Sequence, residues 1–196
     1  MKRKVHPISV LRWTTVGFLI LTCLCFFLPF VKLTPGALLG ILGSVSGKPT
    51  SPASMSGFQM MLASLSDKPL HENLSVGALP SNALVILAFV NLLCAIAVLL
   101  IPRLRAHAFW ISAWCSLTCS VSTVLSAVLF RAYYVRFTEG GDVLANLFED
   151  GHLSVSAEAG LVVVAALSLL VFMSCFLLHF QLRDDPYFRS GSVIED

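Results

Sequence analysis

The amino-acid sequence predicts an all-α integral membrane protein: a four-helix bundle with both termini in the cytoplasm. Two observations predict this class. Of the 196 residues, 57% are hydrophobic and only 12% are charged, whereas a soluble domain carries about 25% charged residues. The apolar residues are also concentrated in four runs of about 18 to 23 residues. At about 1.5 Å rise per residue, such a helix crosses a hydrocarbon core of about 30 Å.

The four predicted spans cover residues 10–31, 81–101, 108–131 and 158–180. They leave a long first outer loop at 32–80, a second outer loop at 133–157 and a cytoplasmic tail at 182–196. The link between the second and third spans is short, which makes these two helices antiparallel neighbours. Because one bundle accounts for most of the length, residues 1–196 are predicted to form a single domain.

The distribution of basic residues predicts the orientation in the cell membrane. With the N-terminus in the cytoplasm, eight Lys and Arg residues lie on the inner face and five on the outer face. Cytoplasmic segments next to membrane helices carry this excess, and Met1–Arg12 is the most basic segment. The apolar run Thr14–Val31 is longer than the core of a signal peptide, so we expect it to remain as the first span.

The first outer loop contains a helical pattern. Phe58, Met61, Leu62 and Leu65 are spaced i, i+3, i+4 and i+7, which places them on one face of a helix. We expect a short amphipathic helix whose apolar face lies on lipid, covers the mouth of the bundle or binds a partner.

The third span carries small polar residues at a spacing of four. Ser112, Ser116 and Ser120 form one line on the helix, and such lines let helix backbones approach closely in lipid while the hydroxyls bond across the contact. Asn91, in the second span, is interpreted as a residue that donates hydrogen bonds between helices rather than as a substrate ligand. These four residues are the predicted helix-packing positions.

The sequence contains no pattern that predicts catalysis, a cofactor or a metal. The six cysteines all fall within the predicted spans, where they are expected to be small apolar side chains rather than thiols exchanging with substrates at the water interface. No phosphate-binding loop, nucleophile elbow or zinc-protease motif is found. The basic residues are scattered, so no nucleic-acid partner is expected.

The order of the parts resembles claudin-type tetraspan proteins: an inner N-terminus, a long first outer loop, a short inner turn, a shorter second outer loop and an inner tail. The resemblance covers the whole chain but only as topology, because the first outer loop has neither the Trp nor the Cys residues of that family's motif. It therefore implies no junction function and no site residue. Pro29-Phe30 and Ser56-Gly57-Phe58-Gln59 are also similar to small, uncharacterised bacterial four-span proteins, a similarity that implies no activity.

Two functional hypotheses follow. The first is a non-enzymatic multi-pass membrane protein with a structural or accessory role, whose partners are the lipid bilayer and another membrane protein or a second copy of itself. The alternative is a small transporter or pore component that acts as an oligomer, lined by the Ser and Thr face of the third span. The lack of ionisable residues at the middle of the spans favours the first. A thiol enzyme is a weaker third reading.

Overall fold

A computed structural model of the protein describes residues 7–35, 53–62, 82–101, 104–132 and 153–183. This part of the chain is mostly helical, as predicted. Its helices are α1 (Pro7–Cys25), α2 (Gly57–Leu62), α3 (Ala83–Leu100), α4 (Arg105–Val128) and α5 (Ala159–Leu182). Its strands are β1 (Pro29–Pro35), β2 (Ala53–Ser56) and β3 (Leu153–Ala157).

Three of the described helices are long and apolar enough to cross a membrane. They are α3, the His107–Val128 part of α4, and α5. The apolar part of α1, Ser9–Cys25, is shorter. Many large apolar side chains on these helices are exposed, such as Leu170 of α5 at 62%. The length and composition of these three helices indicate a membrane location, and lipid is the solvent in which such an apolar surface is stable.

The first helix is shorter than its apolar run. The pattern predicts a span to Val31, but α1 ends at Cys25. The Leu28 amide donates a 3.0 Å hydrogen bond to the Cys25 carbonyl, which closes a turn. Pro29 follows, and because proline has no N–H it is disfavoured inside a helix but is accepted as the first residue of a strand. The apolar run that continues after Cys25 therefore enters a β-strand rather than extending the helix.

The three strands form one antiparallel sheet in the order β2-β1-β3. Val31 lies opposite Met55 of β2 and opposite Ala157 of β3. The register between β1 and β2 shifts between Pro29 and Val31. Such a bulge interrupts the alternation of side chains, so the consecutive residues Phe30 and Val31 are both buried. The sequence pattern assigns these residues to the end of the first span and to the two outer loops, and predicts an all-α protein, so the sheet is the main difference from that prediction.

The chain packs as two compact units. The helical unit comprises the described residues within Met1–Leu24, Leu87–Val121 and Val164–Asp196, and the sheet unit those within Cys25–Ile86 and Ser122–Val163. In the sheet unit, α1 and α4 end whereas α3 and α5 begin.

Candidate functional site at the sheet end of the helices

The sheet is joined directly to the start of α5. The backbone amide of Glu158 donates a 2.9 Å hydrogen bond to the Phe30 carbonyl, which extends the pairing of β1 and β3 by one residue. The Glu158 carbonyl in turn accepts a 3.2 Å hydrogen bond from the Leu161 amide in the first turn of α5. Glu158 thus ends the sheet and begins the helix, so the orientation of β3 relative to the start of α5 is fixed.

Gly160 allows the chain to approach itself closely at this junction. A Cβ atom added at Gly160 would lie 2.5 Å from the Pro29 carbonyl oxygen and 2.7 Å from the Leu28 Cβ. Both distances are far below van der Waals contact, and one of the atoms belongs to the backbone. The first turn of α5 therefore requires glycine where it packs against the start of β1.

The short helix α2 is capped by its own sequence. The Ser56 Oγ accepts a 3.2 Å hydrogen bond from the Gln59 amide, while the Gln59 Oε1 accepts a 2.9 Å hydrogen bond from the Ser56 amide. This reciprocal arrangement is a capping box, with Ser at the cap and Gln three residues later. In addition, the Phe58 amide donates a 2.9 Å hydrogen bond to the Phe26 carbonyl, so the start of α2 is tied to the chain just after α1.

The end of α2 is connected to the start of α3. The Asn82 amide donates a 2.9 Å hydrogen bond to the Met60 carbonyl. The Asn82 Oδ1 accepts hydrogen bonds from the Leu84 and Val85 amides at 3.0 and 3.4 Å. Asn82 therefore caps α3 and anchors α2 at the same position.

The buried face of α2 differs from the predicted stripe. Gly57, Met60 and Met61 are buried, and a Cβ at Gly57 would meet the Phe30 ring at 2.6 Å. Met61 belongs to both the predicted stripe and these buried residues. Phe58 is half-buried and stacks on Phe27 with ring centroids 4.9 Å apart. Leu62 is 38% exposed, and Leu65 lies outside the described residues.

A cavity of about 330 Å³ lies between β3 and the end of α4. Val31 of β1 also contributes to its wall. Arg131, which follows α4, is the charged residue among the described residues that line it. The remaining lining residues are small or apolar apart from one serine: Ala127, Val128, Ser154, Val155 and Ala157. The cavity therefore combines an apolar wall with one guanidinium group.

The direction of the β3 backbone follows from its register with β1. The Glu158 bond to Phe30 marks a hydrogen-bonded pair, and in an antiparallel ladder such pairs alternate with non-bonded ones. Val155 and Ala157 therefore occupy non-bonded positions opposite Leu33 and Val31. Their N–H and C=O groups point away from β1, where β3 has no neighbour among the described strands.

The opposite face of the sheet is polar. Lys32 lies between Ser54 of β2 and Ser156 of β3 in one row across the three strands. The Lys32 Nζ lies 4.0 Å from a Glu158 carboxylate oxygen, and both side chains are partly exposed. Exposed pairs of this kind contribute about 0–1 kcal/mol, so we assign the Lys32 pair no major role in holding the sheet.

Within the helical unit, the serine row of α4 reaches two neighbouring helices. The Ser112 Oγ donates a 3.0 Å hydrogen bond to the Ala95 carbonyl of α3, and the Ser120 Oγ donates a 3.1 Å hydrogen bond to the Ala165 carbonyl of α5. Both serines are buried. The close approach that permits these bonds is the role that small residues have in membrane helix packing.

The other two predicted packing residues are placed differently. Ser116 is fully buried between these two serines, but its Oγ has no hydrogen-bond partner in the described part of the chain. Asn91 is half-buried, and its Nδ2 donates a 2.8 Å hydrogen bond to the Leu87 carbonyl of its own helix. The structure thus brings Ser112, Ser116 and Ser120 together and leaves Asn91 apart from them.

The cysteines form no disulfide. None of the six is bonded to another cysteine, and Cys119 accepts a 3.3 Å hydrogen bond from the Ser168 Oγ. Within the described ranges, no group of three or more His, Cys, Asp and Glu residues is arranged to hold a metal ion.

The described structure defines a class: a mostly helical membrane protein with a small antiparallel sheet joined to its helix ends. Comparison with protein-family models, with curated proteins and with solved structures gave no match.

Proposed function

We propose that the protein is a non-enzymatic, multi-pass membrane protein with a structural or accessory role, and that its sheet unit is the surface that a partner contacts. In this proposal α1, α3, α4 and α5 are four spans, and both termini are cytoplasmic. Two observations support this arrangement: α1 and α4 end in the sheet unit whereas α3 and α5 begin in it, and basic residues are in excess near Met1–Arg12. The sheet then lies on the outer face of the membrane.

The observation that carries the proposal is the anchoring of the sheet to the helix ends. Three backbone hydrogen bonds of 2.9 Å tie the sheet unit together: Glu158 to Phe30, Phe58 to Phe26, and Asn82 to Met60. A surface built in this way presents its polar face in one fixed geometry. Because the surface is already ordered, the protein loses little conformational freedom when a partner binds, which is the advantage of a preorganised surface.

The serine row of α4 argues against the transport alternative. A pore-lining face would direct its hydroxyls to water, but Ser112 and Ser120 donate to the backbones of neighbouring helices. We therefore assign the row to helix packing and retain the non-enzymatic accessory role.

Site-directed photocrosslinking in native membranes tests the proposal. A crosslinker at Ser54 or Ser156, both exposed on the polar face of the sheet, should yield one defined protein adduct. The matched control is Leu170, which is 62% exposed on α5 and should not yield that adduct. Identical adducts at all three positions would contradict a specific surface, and solute flux through purified protein in proteoliposomes would favour the transport alternative instead.

A further inference from the structure

The position of Arg131 relative to α4 gives the depth of the cavity in the proposed membrane. Arg131 is three residues beyond Val128, the last residue of the candidate span in α4. At about 1.5 Å per residue, this distance is about 4.5 Å. The headgroup layer on each side of the hydrocarbon core is about 5–7 Å thick. If α4 spans the membrane as proposed above, the cavity opens within that layer.

The chemistry of the cavity suits an anion. Arg131 lines the cavity, and an arginine side chain has five N–H donors in a planar group that matches phosphate oxygens and forms short, charge-assisted hydrogen bonds with them. Val155 and Ala157 also line the cavity, and their backbone N–H groups are not used in pairing with β1, as the register requires. The lining therefore brings an arginine from the end of α4 together with two residues of β3 whose amides can still donate hydrogen bonds, as a phosphate group requires.

An apolar path leads from the cavity along α4 towards the hydrocarbon. Val124 and Leu125 are 45% and 41% exposed, and Val128, which lines the cavity, is 71% exposed. Their spacing of three and four residues places them on one face of the helix. An acyl chain attached to a group in the cavity would lie along this face.

We propose that the cavity binds the phosphate-bearing headgroup of an anionic phospholipid, with Arg131 as the main ligand of the phosphate and the Val124–Val128 face in contact with an acyl chain. The volume of about 330 Å³ is at the lower end of the range of small-molecule sites, about 300–1,000 Å³. This size fits a headgroup and excludes the two chains, which remain in the bilayer.

Native mass spectrometry of the full-length protein in detergent tests the proposal with phosphatidylglycerol and phosphatidylcholine as probes. Phosphatidylglycerol should bind more tightly. Replacement of the cation, Arg131→Gln, should weaken its binding about tenfold, the loss expected for a hydrogen bond to a charged group. Filling the cavity with Ala157→Phe should have a similar effect. Phosphatidylcholine binding should change less in both variants.

Matched controls exist on the other face of the same sheet. Lys32→Gln removes a cation that does not line the cavity, and Ser156→Phe adds a ring next to Ala157 but outside the cavity. Neither should weaken phosphatidylglycerol binding. An equal loss in Lys32→Gln and Arg131→Gln would show a general effect of surface charge and overturn the proposal. Unchanged phosphatidylglycerol binding in Arg131→Gln would also overturn the proposal, because this substitution does not require the cavity to repack.

Two further measurements distinguish the lipid from other occupants. Glycerol 3-phosphate should displace phosphatidylglycerol far less effectively than a short-chain phosphatidylglycerol does. Equal displacement would assign the cavity to a soluble phosphate compound. A photocrosslinker at Ala157 in native membranes should label lipid, and capture of a protein there would overturn the lipid assignment. These readouts are independent of the Ser54 adduct, so this proposal and the accessory role can fail separately.

Discussion

The amide of Glu158 donates a 2.9 Å hydrogen bond to the carbonyl of Phe30, and this bond joins the segment that follows the first helix to the residue that begins the last. Next to it, Gly160 packs against the carbonyl of Pro29. The sheet and the first turn of α5 are therefore one structural feature. Its sensitivity to substitution can be measured directly.

The first prediction concerns Gly160. A methyl group there would overlap the Pro29 carbonyl and the Leu28 side chain, so Gly160→Ala should lower the free energy of unfolding by about 1–3 kcal/mol, the usual cost of overpacking. Thermal unfolding in detergent micelles measures this loss. Gly17→Ala is the matched control, because a Cβ at Gly17 meets nothing within 4 Å. It should be neutral or stabilising by about 0.5–1 kcal/mol, since alanine favours the helix. Equal stability of both variants would contradict the close approach at Gly160.

The second prediction concerns the packing of α4. Ser120 is buried and its hydroxyl donates to the Ala165 carbonyl. Ser120→Leu should push the two helices apart and lower the unfolding free energy by about 1–3 kcal/mol. The adjacent Val121 is 49% exposed, so Val121→Leu should change it by about 0.5 kcal/mol or less. Chemical or thermal denaturation in one detergent compares the two. A stable Ser120→Leu variant would mean that this face of α4 is exposed to lipid.

The third prediction separates the buried and exposed sides of α2. Met60 is 1% exposed and Leu62 is 38% exposed. Met60→Ala should therefore cost about 2–5 kcal/mol, as large-to-small changes in a core do, whereas Leu62→Ala should have a small effect. Limited proteolysis provides the measurement, because loss of the Met60 contact should release the segment that contains α2 and increase its cleavage. A larger effect of Leu62→Ala than of Met60→Ala would contradict the burial of Met60 on the packed side of α2.

Much of the helical structure could be predicted from the sequence, because apolar runs of span length have few other solutions in lipid. The sheet was harder to predict. Its signal is present in Val31-Lys32-Leu33-Thr34 and in Leu153-Ser154-Val155-Ser156, which alternate apolar and polar residues with the period of a strand. Both segments are very short. The first also continues the apolar run of α1, so the run masks the change of period at Pro29.

The candidate site was predictable only in part. The spacing of Ser112, Ser116 and Ser120 marks a helix face without its partners. Ser56 and Gln59 carry the signature of a capping box, which would have fixed the start of α2 but not its buried side. The cavity has no local signal in the sequence, because it is lined by residues from the end of α4, from β3 and from β1, which are distant in the chain.

The fourth prediction concerns orientation. If the sheet lies on the outer face, a cysteine introduced at Ser54 should react with a membrane-impermeant maleimide in intact cells. A cysteine at Ser190 should react only after permeabilisation. Both variants are made in a chain whose six native cysteines are replaced by serine, which removes background labelling. Labelling of Ser190→Cys but not of Ser54→Cys in intact cells would reverse the proposed orientation, which rests on the positive-inside rule.

The pairing of β1 with β3 has a consequence for the biogenesis of the protein. Pro35 pairs with Leu153, so translation must continue well past α4 before the two strands can meet. At about 5–20 residues per second, the interval is roughly 6–24 s. During that time β1 has already left the ribosome, whereas β3 has not yet been synthesised. The sheet is therefore completed late, because it can form only after both β1 and β3 have been synthesised. A nascent chain arrested before Leu153 would present the unpaired edge of β1 to the quality-control machinery of the membrane.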